Sequence, residues 1–112
     1  MWRDAASLTD ILRAAHLVVK FTSGLAYPQF LEHEMAQAAV IRQLEIIGEA
    51  ARRISEETKE AHAEIPWPVL IALRNLLIHE YDRVSLARIW EIASLDVPDL
   101  IRVLDPLVPP EE

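Results

Sequence analysis

The chain has 112 residues, of which 52% are apolar and only two are glycine, so it can form one hydrophobic core but is a poor match for turn-rich β folds or glycine-rich phosphate loops. Its 18 acidic and 11 basic residues give a formal net charge of −7, which argues against sequence-blind nucleic-acid binding through a broad basic surface. No cysteine and no membrane-length apolar run occur, so we expect one cytoplasmic domain over residues 1–112, without disulfides or membrane attachment.

Apolar residues recur at helical spacing along most of the chain, which predicts an all-α fold. The first predicted helix runs from Leu8 to Ser23, with Ser7 as its N-terminal cap and Gly24 as its left-handed stop. The stretch from Leu25 to His33 then predicts a short connection because it contains Pro28. Three large side chains in this connection are expected to cover the end of the bundle: Tyr27, Phe30 and Leu31.

The second predicted helix runs from about Glu34 to Glu60. Its core-facing residues alternate in steps of three and four, a pattern typical of packed helices: Val40, Leu44, Ile47, Ala51 and Ile54. Glu49 and Arg53 are spaced for a favourable i,i+4 ion pair on another face. Gly48 lies inside this helix at a cost of roughly 1 kcal/mol relative to alanine, so we expect a neighbouring helix to approach closely there.

The third helix is predicted from Pro68 to His79 or Tyr81, because proline fits the first turn of a helix. Ser85 can cap a fourth helix over residues 86–94, and Asp96-Val97-Pro98 predicts a break before a short fifth helix that ends near residue 104. The proline-rich tail is expected to be non-helical. Together these elements predict an up-and-down four-helix bundle with a short extra C-terminal helix, in which the fifth helix continues or kinks the fourth.

Four polar residues with chemical capability lie within eight positions of the third helix: Arg74, Asn75, His79 and Tyr81. Arg74 and His79 are about 140° apart on an ideal helix, so either the helix frays at its end or a second subunit completes a shared site. The opposite face, with Leu70, Leu73 and Leu77, is expected to bury in the bundle. Trp67, just before these residues, is expected to serve packing.

Metal-free RNA cleavage needs a base for the 2′-hydroxyl proton, an acid for the leaving oxygen and positive charge at the phosphate. An imidazole exchanges protons near neutral pH, and a guanidinium matches phosphate oxygens with a fixed fork. A single helical histidine is more often structural, but Arg74, Asn75 and Tyr81 beside His79 favour a site. The presence of Asn75 is explained at least as well by a structural hydrogen bond, to the backbone or to a partner subunit, as by a role in the reaction.

Glu45 and Glu49 share one face of the second helix and, with His16 or His79, superficially suggest a metal site. The Glu-x-x-His pairs of di-metal bundles are absent, so we expect neither metal nor cofactor. These carboxylates are expected instead to pair with Arg42, Arg52 or Arg74, and to orient the last of these.

Several short segments of the sequence, taken in order, resemble those of the HepT-like ribonuclease toxins of the HEPN superfamily. They are Ala39-Val40-Ile41-Arg42, residues 44–50, Ile65-Pro66-Trp67, Arg74-Asn75 with His79-x-Tyr81, and Ile89-Trp90. This resemblance implies an all-helical homodimer that acts as a metal-independent endoribonuclease in a cleft at the dimer interface.

The same resemblance implies a type VII (HEPN/MNT) toxin–antitoxin system, in which the antitoxin is an MNT-type nucleotidyltransferase. Transferred to this sequence, it makes Arg74 and His79 the catalytic residues and Asn75 a supporting residue. It also makes Tyr81 the residue that the antitoxin AMPylates to neutralise the toxin. A bulky anionic nucleotide at Tyr81 would block a phosphate-binding cleft. The alternative is a non-catalytic helical interaction module that binds a nucleotidyltransferase, a reading favoured by the negative net charge.

Overall fold

The computed structural model describes residues 2–79 and 85–108; the side chains at positions 2, 3, 78 and 79 lie outside this description. Helix α1 packs against α3, α3 packs against α5, and α1 also packs against α7, so α3 lies between the N-terminal helix and the helix that carries the predicted site. The α-helices are α1 (Trp2–Thr22), α2 (Tyr27–Leu31), α3 (Glu34–Arg52), α4 (Glu56–Ala61), α5 (Trp67–His79), α6 (Leu86–Glu91) and α7 (Val97–Leu104). This arrangement confirms the predicted all-α bundle.

Helix α1 begins at Trp2, upstream of its predicted start, so the prediction that Ser7 caps this helix is wrong. Ser7 is buried inside α1, because Ala5 and Ala6 favour helix and the carboxylate of Asp4 suits the positive end of the helix dipole. The predicted stop is confirmed: α1 ends at Thr22, and Gly24 adopts a φ of 80°.

The predicted connection contains the single-turn helix α2. Phe30 is fully buried and its ring centroid lies 5.1 Å from that of Trp90, so it covers the end of the bundle as predicted. Tyr27 also contacts Trp90, at 6.1 Å between centroids, although Tyr27 remains 36% exposed and Leu31 40% exposed.

The predicted second helix is divided, which corrects the single helix expected over Glu34 to Glu60: α3 ends at Arg52, and α4 begins at Glu56. The break follows from a contact that is distant in sequence. Ser55 caps α4 by accepting from the Thr58 amide, and its hydroxyl donates to Asp4 Oδ2 at 2.6 Å. The core-facing residues of α3 and the break are buried as predicted: Val40, Leu44, Ile47, Ala51 and Ile54.

Helix α5 starts at Trp67, one residue before the predicted position, and includes His79. Trp67 is buried, which confirms its packing role, and its indole Nε1 donates to the carbonyl oxygen of His62 at 3.1 Å. Leu77 is buried as predicted, whereas Leu70 and Leu73 are only partly covered because they line an apolar groove of about 370 Å³ between α5 and the C-terminal helices.

The C-terminal helices follow one another without the predicted break, and the expectation that the fifth helix continues the fourth is confirmed. Ser85 caps α6 as expected, by accepting from the Arg88 amide at 3.1 Å. A turn of π-helix over Ile92–Asp96 then leads directly into α7, where Pro98 lies in the first turn and so needs no amide donor. The expectation of a wholly non-helical tail is also wrong at Pro106, which lies in a 3₁₀ turn over Asp105–Leu107.

Within residues 2–79 and 85–108, no helix is long and apolar enough to cross a membrane.

Candidate functional site

Three of the four predicted site residues lie in the second half of α5: Arg74, Asn75 and His79. Arg74 and Asn75 are described in full, and His79 is the last residue of the helix. The His79 side chain and the whole of Tyr81 lie outside the described residues. Arg74 faces α3.

Gly48 is the reason that Arg74 can lie so close to α3. A Cβ atom built on Gly48 would lie 2.1 Å from the Arg74 Cβ, 2.7 Å from the Leu70 carbonyl oxygen and 3.0 Å from the Arg74 Cα. Real Cβ atoms do not approach other atoms this closely, so position 48 has no room for a side chain. The predicted close approach at Gly48 is confirmed, and it occurs at the backbone of the candidate catalytic arginine.

Glu49 is the partner of Arg74 on α3, as the sequence predicted. The Arg74 Nε atom lies 3.1 Å from Glu49 Oε1, and both atoms are buried. Their geometry is that of an ion pair without an aligned hydrogen bond, since neither atom has a hydrogen-bonding partner. The pair fixes the inner edge of the guanidinium, and the Arg74 side chain as a whole is only 23% exposed.

Asn75 holds the same guanidinium from the other side. Arg74 Nη1 donates to Asn75 Oδ1 at 2.9 Å, between neighbouring residues of α5. Asn75 is exposed and also lies at one end of a shallow cleft between α4 and α5, near Lys59 and Ile71. Glu49 and Asn75 therefore restrict the guanidinium in two directions, which is how a phosphate-binding arginine is preorganised.

Glu49 also contacts Arg52 and Arg53 at the end of α3, and both of these pairings were predicted from the sequence. Its Oε2 atom lies 3.3 Å from Arg52 Nη2 and 3.5 Å from Arg53 Nη1, the second being the predicted i,i+4 pair. The hydrogen bond from Arg52 lowers the pKa of Glu49; the charges of Arg52, Arg74 and Arg53 act in the same direction, against the opposing effect of burial. The sequence offered Arg52 and Arg74 as alternative partners, whereas the structure shows that one carboxylate contacts both.

The carboxylates that superficially suggested a metal site are engaged with arginine. Glu45 pairs with Arg42 at 3.3 Å, and Glu49 pairs with Arg74 and its neighbours. In the described parts of the chain, no group of three or more histidine, aspartate or glutamate side chains is arranged to hold a metal ion.

Comparison with known proteins gives a family match over residues 11–107, to the family described as "Ribonuclease HepT-like". The chain is 42% identical over 95 residues to "Putative RNase MJ1380" of Methanocaldococcus jannaschii, which covers 85% of this chain and 87% of that protein. It is 41% identical over 93 residues to "Probable ribonuclease HepT" of Thermococcus cleftensis, covering 83% of this chain and 84% of that protein. No solved structure gives a significant match.

Proposed function

Because this chain belongs to the HepT-like ribonuclease family, we propose that it is a metal-independent endoribonuclease in which Arg74 and His79 are catalytic and Asn75 supports Arg74. The observation that carries the proposal is the arrangement of Arg74 itself. Its guanidinium is held between Glu49 and Asn75, on the helix that ends at His79. The names of the two relatives above, both of which describe ribonucleases, support the same reaction.

In the proposed reaction, an imidazole takes the proton of the 2′-hydroxyl, and the 2′-oxygen attacks the adjacent phosphorus. The bond from phosphorus to the 5′-oxygen breaks, and a protonated imidazole supplies the proton that the leaving oxygen needs. The products are a 2′,3′-cyclic phosphate and a 5′-hydroxyl end. Arg74 stabilises the charge on the phosphate oxygens, because its guanidinium stays ionised and can bind two oxygens at once.

This mechanism uses a base and an acid, whereas each chain contributes one His79. We therefore propose a homodimer with a shared cleft, to which each protomer brings one Arg74 and one His79. A two-fold interface pairs the same surface with itself and so supplies both histidines. It also removes the need for one chain to bring together residues 74 and 79, which are about 140° apart on an ideal helix.

We place the protein in a type VII toxin–antitoxin system, with an MNT-type nucleotidyltransferase as antitoxin and AMPylation of Tyr81 as the neutralising step. Tyr81 is two positions after His79 in the sequence. Attaching AMP there adds bulk and negative charge next to the groups that would bind an RNA phosphate. Intact-mass measurement after incubation with the partner and ATP tests this step, with Tyr81→Phe as the control that must remain unmodified.

The decisive experiment is cleavage of single-stranded RNA by the purified dimer in the presence of EDTA. We expect 2′,3′-cyclic phosphate ends, and loss of activity in His79→Ala and in Arg74→Ala while the helical circular dichroism persists. Arg42→Ala is the matched control, because Arg42 is an exposed arginine of α3 paired with Glu45 alone in the described contacts. Activity that EDTA abolishes, or that survives in His79→Ala, would contradict the proposal.

The competing function is a helical module that binds a nucleotidyltransferase without cleaving RNA. The net charge of −7 favours it, because an acidic surface suits a basic protein partner better than a polyanion. A wild-type dimer that binds its nucleotidyltransferase neighbour but leaves RNA intact at high enzyme concentration would establish this alternative.

A further inference from the structure

Three arginines converge on the single carboxylate of Glu49. Oε2 lies between Arg52 and Arg53, at 3.3 and 3.5 Å, and Oε1 lies 3.1 Å from Arg74. The Asp10 carboxylate, 3.8 Å from Arg53, is a second and more distant partner. These five side chains together carry an excess of positive charge, in a protein whose formal net charge is −7.

Three arginine ion pairs elsewhere in residues 2–79 and 85–108 each join one guanidinium to one carboxylate. Three exposed arginines each lie within 3.3 Å of one carboxylate of their own helix: Arg42 with Glu45, Arg88 with Glu91, and Arg102 with Asp99. Crowding several guanidiniums around one carboxylate is less favourable than such pairs, because the like charges repel one another. A surplus of cations at one place is typical of a surface that binds an anion.

The arginines of this cluster differ in how much of them solvent can reach. Arg74 is 23% exposed, whereas the side chains of Arg52 and Arg53 are 58% and 50% exposed. Arg52 and Arg53 therefore keep N–H groups available to a ligand while Glu49 fixes one edge of each. The arrangement is preorganised for oxygen acceptors that approach from solvent.

We propose that Arg52 and Arg53 form a second phosphate-binding subsite, which holds the RNA phosphate adjacent to the one bound at Arg74. The proposal rests on the proposed function, since it assigns the scissile phosphate to Arg74. The shared carboxylate keeps the three guanidiniums together, so a single strand that passes Arg74 brings its neighbouring phosphate to the end of α3. The contacts are to the backbone, so this subsite binds RNA without reading base sequence.

A purely structural role for the two arginines makes different predictions. Both lie at the C-terminal end of α3, where cations stabilise the helix dipole, and both are spaced to pair with Glu49 along one helix. On that account, their removal changes thermal stability and leaves RNA affinity and its salt dependence unchanged. Salt dependence separates the two roles because each lost phosphate contact reduces the number of counterions released on binding.

The test measures binding of a fully 2′-O-methylated RNA oligonucleotide, which cannot be cleaved through its 2′-oxygens, by fluorescence anisotropy over a series of NaCl concentrations. The variants are Arg52→Ala/Arg53→Ala and, as the matched control, Arg42→Ala. We expect the double variant to bind about 10-fold more weakly at low salt, with the slope of log Kd against log salt smaller by about 0.7 per lost contact. In cleavage assays its KM rises while kcat is unchanged.

If the alanine variant does not fold, Arg52→Gln/Arg53→Gln replaces it in the binding test, because glutamine keeps most of each side chain. Arg52→Lys/Arg53→Lys keeps both positive charges and should retain the wild-type salt slope. If the wild-type protein cleaves RNA but the double variant matches Arg42→Ala in both Kd and slope, the subsite is overturned and the proposed nuclease stands. A wild-type protein that neither binds the oligonucleotide nor cleaves unmodified RNA overturns both.

Discussion

The backbone of Arg74 lies directly against Gly48: a Cβ atom at position 48 would come within 2.1 Å of the Arg74 Cβ. Gly48→Ala would gain about 1 kcal/mol in helix propensity, but it places an atom 2.7 Å from a backbone carbonyl that cannot turn aside. Overpacking of this kind costs about 1–3 kcal/mol, so we expect a net loss in the free energy of unfolding and a displaced α5.

Urea denaturation measures that loss, and the cleavage rate should fall with it because Arg74 moves. Ala38→Gly, at an exposed position of the same helix, measures the propensity contribution alone. An alanine variant at position 48 that is as stable and as active as the wild type would contradict the close packing.

Glu49→Gln should separate positioning from charge in the proposed nuclease. The substitution keeps the size of the side chain but removes the negative charge 3.1 Å from Arg74 Nε. We expect kcat to fall by about 10- to 100-fold because the guanidinium loses its anchor, while KM for RNA falls because the arginine cluster becomes more positive. Steady-state kinetics against Glu45→Gln, the equivalent change at the Arg42 pair, provides the comparison; a higher KM with unchanged kcat would refute a positioning role.

Asp4 should make stability depend on pH in the acid range. It is 2% exposed, and its carboxylate accepts hydrogen bonds from the amide and hydroxyl of Ser55 and from the hydroxyl of Thr58. Burial alone would raise the pKa of Asp4, but these hydrogen bonds outweigh it and lower the pKa from 3.8 to about 2. Because the folded-state pKa is the lower one, the contribution is complete above about pH 4 and is lost as the pH falls towards 2.

We therefore expect Asp4→Ala to lose about 2–3 kcal/mol of unfolding free energy at pH 7. The difference from wild type should shrink as the pH is lowered from 4 to 2, the interval between the two pKa values. Urea denaturation at several pH values measures this, and a difference that stays constant down to pH 2 would show that Asp4 does not act as a charged acceptor.

Trp67→Phe should show how much the indole hydrogen bond contributes. Phenylalanine retains most of the buried ring but leaves the His62 carbonyl without the donor that lies 3.1 Å away. We expect Trp67→Phe to lower the free energy of unfolding by about 1 kcal/mol, from the lost hydrogen bond. Trp67→Ala should lower it by about 3–5 kcal/mol, because it also leaves a cavity in the core. Equal losses in the two variants, measured by thermal and urea denaturation, would show that the hydrogen bond and not the ring dominates.

Local signals located the ends of several helices to within one residue. Gly24 acts through its positive φ angle, Pro68 through its missing amide hydrogen and Ser85 through its hydroxyl. Each effect belongs to the residue itself, so it can be recognised without knowing the fold. The pairing of Glu49 with Arg74 was also predictable, because charged side chains on otherwise apolar helices need partners.

The errors arose where distant contacts decide local structure. Ile54 continues the apolar spacing of α3 and hides the break before Ser55, which depends on Asp4, 51 residues earlier in the sequence. The absence of a break at Pro98 depends on the preceding π-helical turn, which apolar periodicity does not reveal. The cluster of Arg52, Arg53 and Arg74 likewise required the three-dimensional position of α5 relative to α3.

Because three guanidiniums share the Glu49 carboxylate, the free-energy contribution of each arginine depends on the presence of the other two. If one arginine is removed, Glu49 can move closer to the two that remain, and repulsion among the cations decreases at the same time. Combined substitutions at Arg52, Arg53 and Arg74 should therefore deviate from the sum of the single effects, so that coupling energies rather than individual losses describe what each residue contributes.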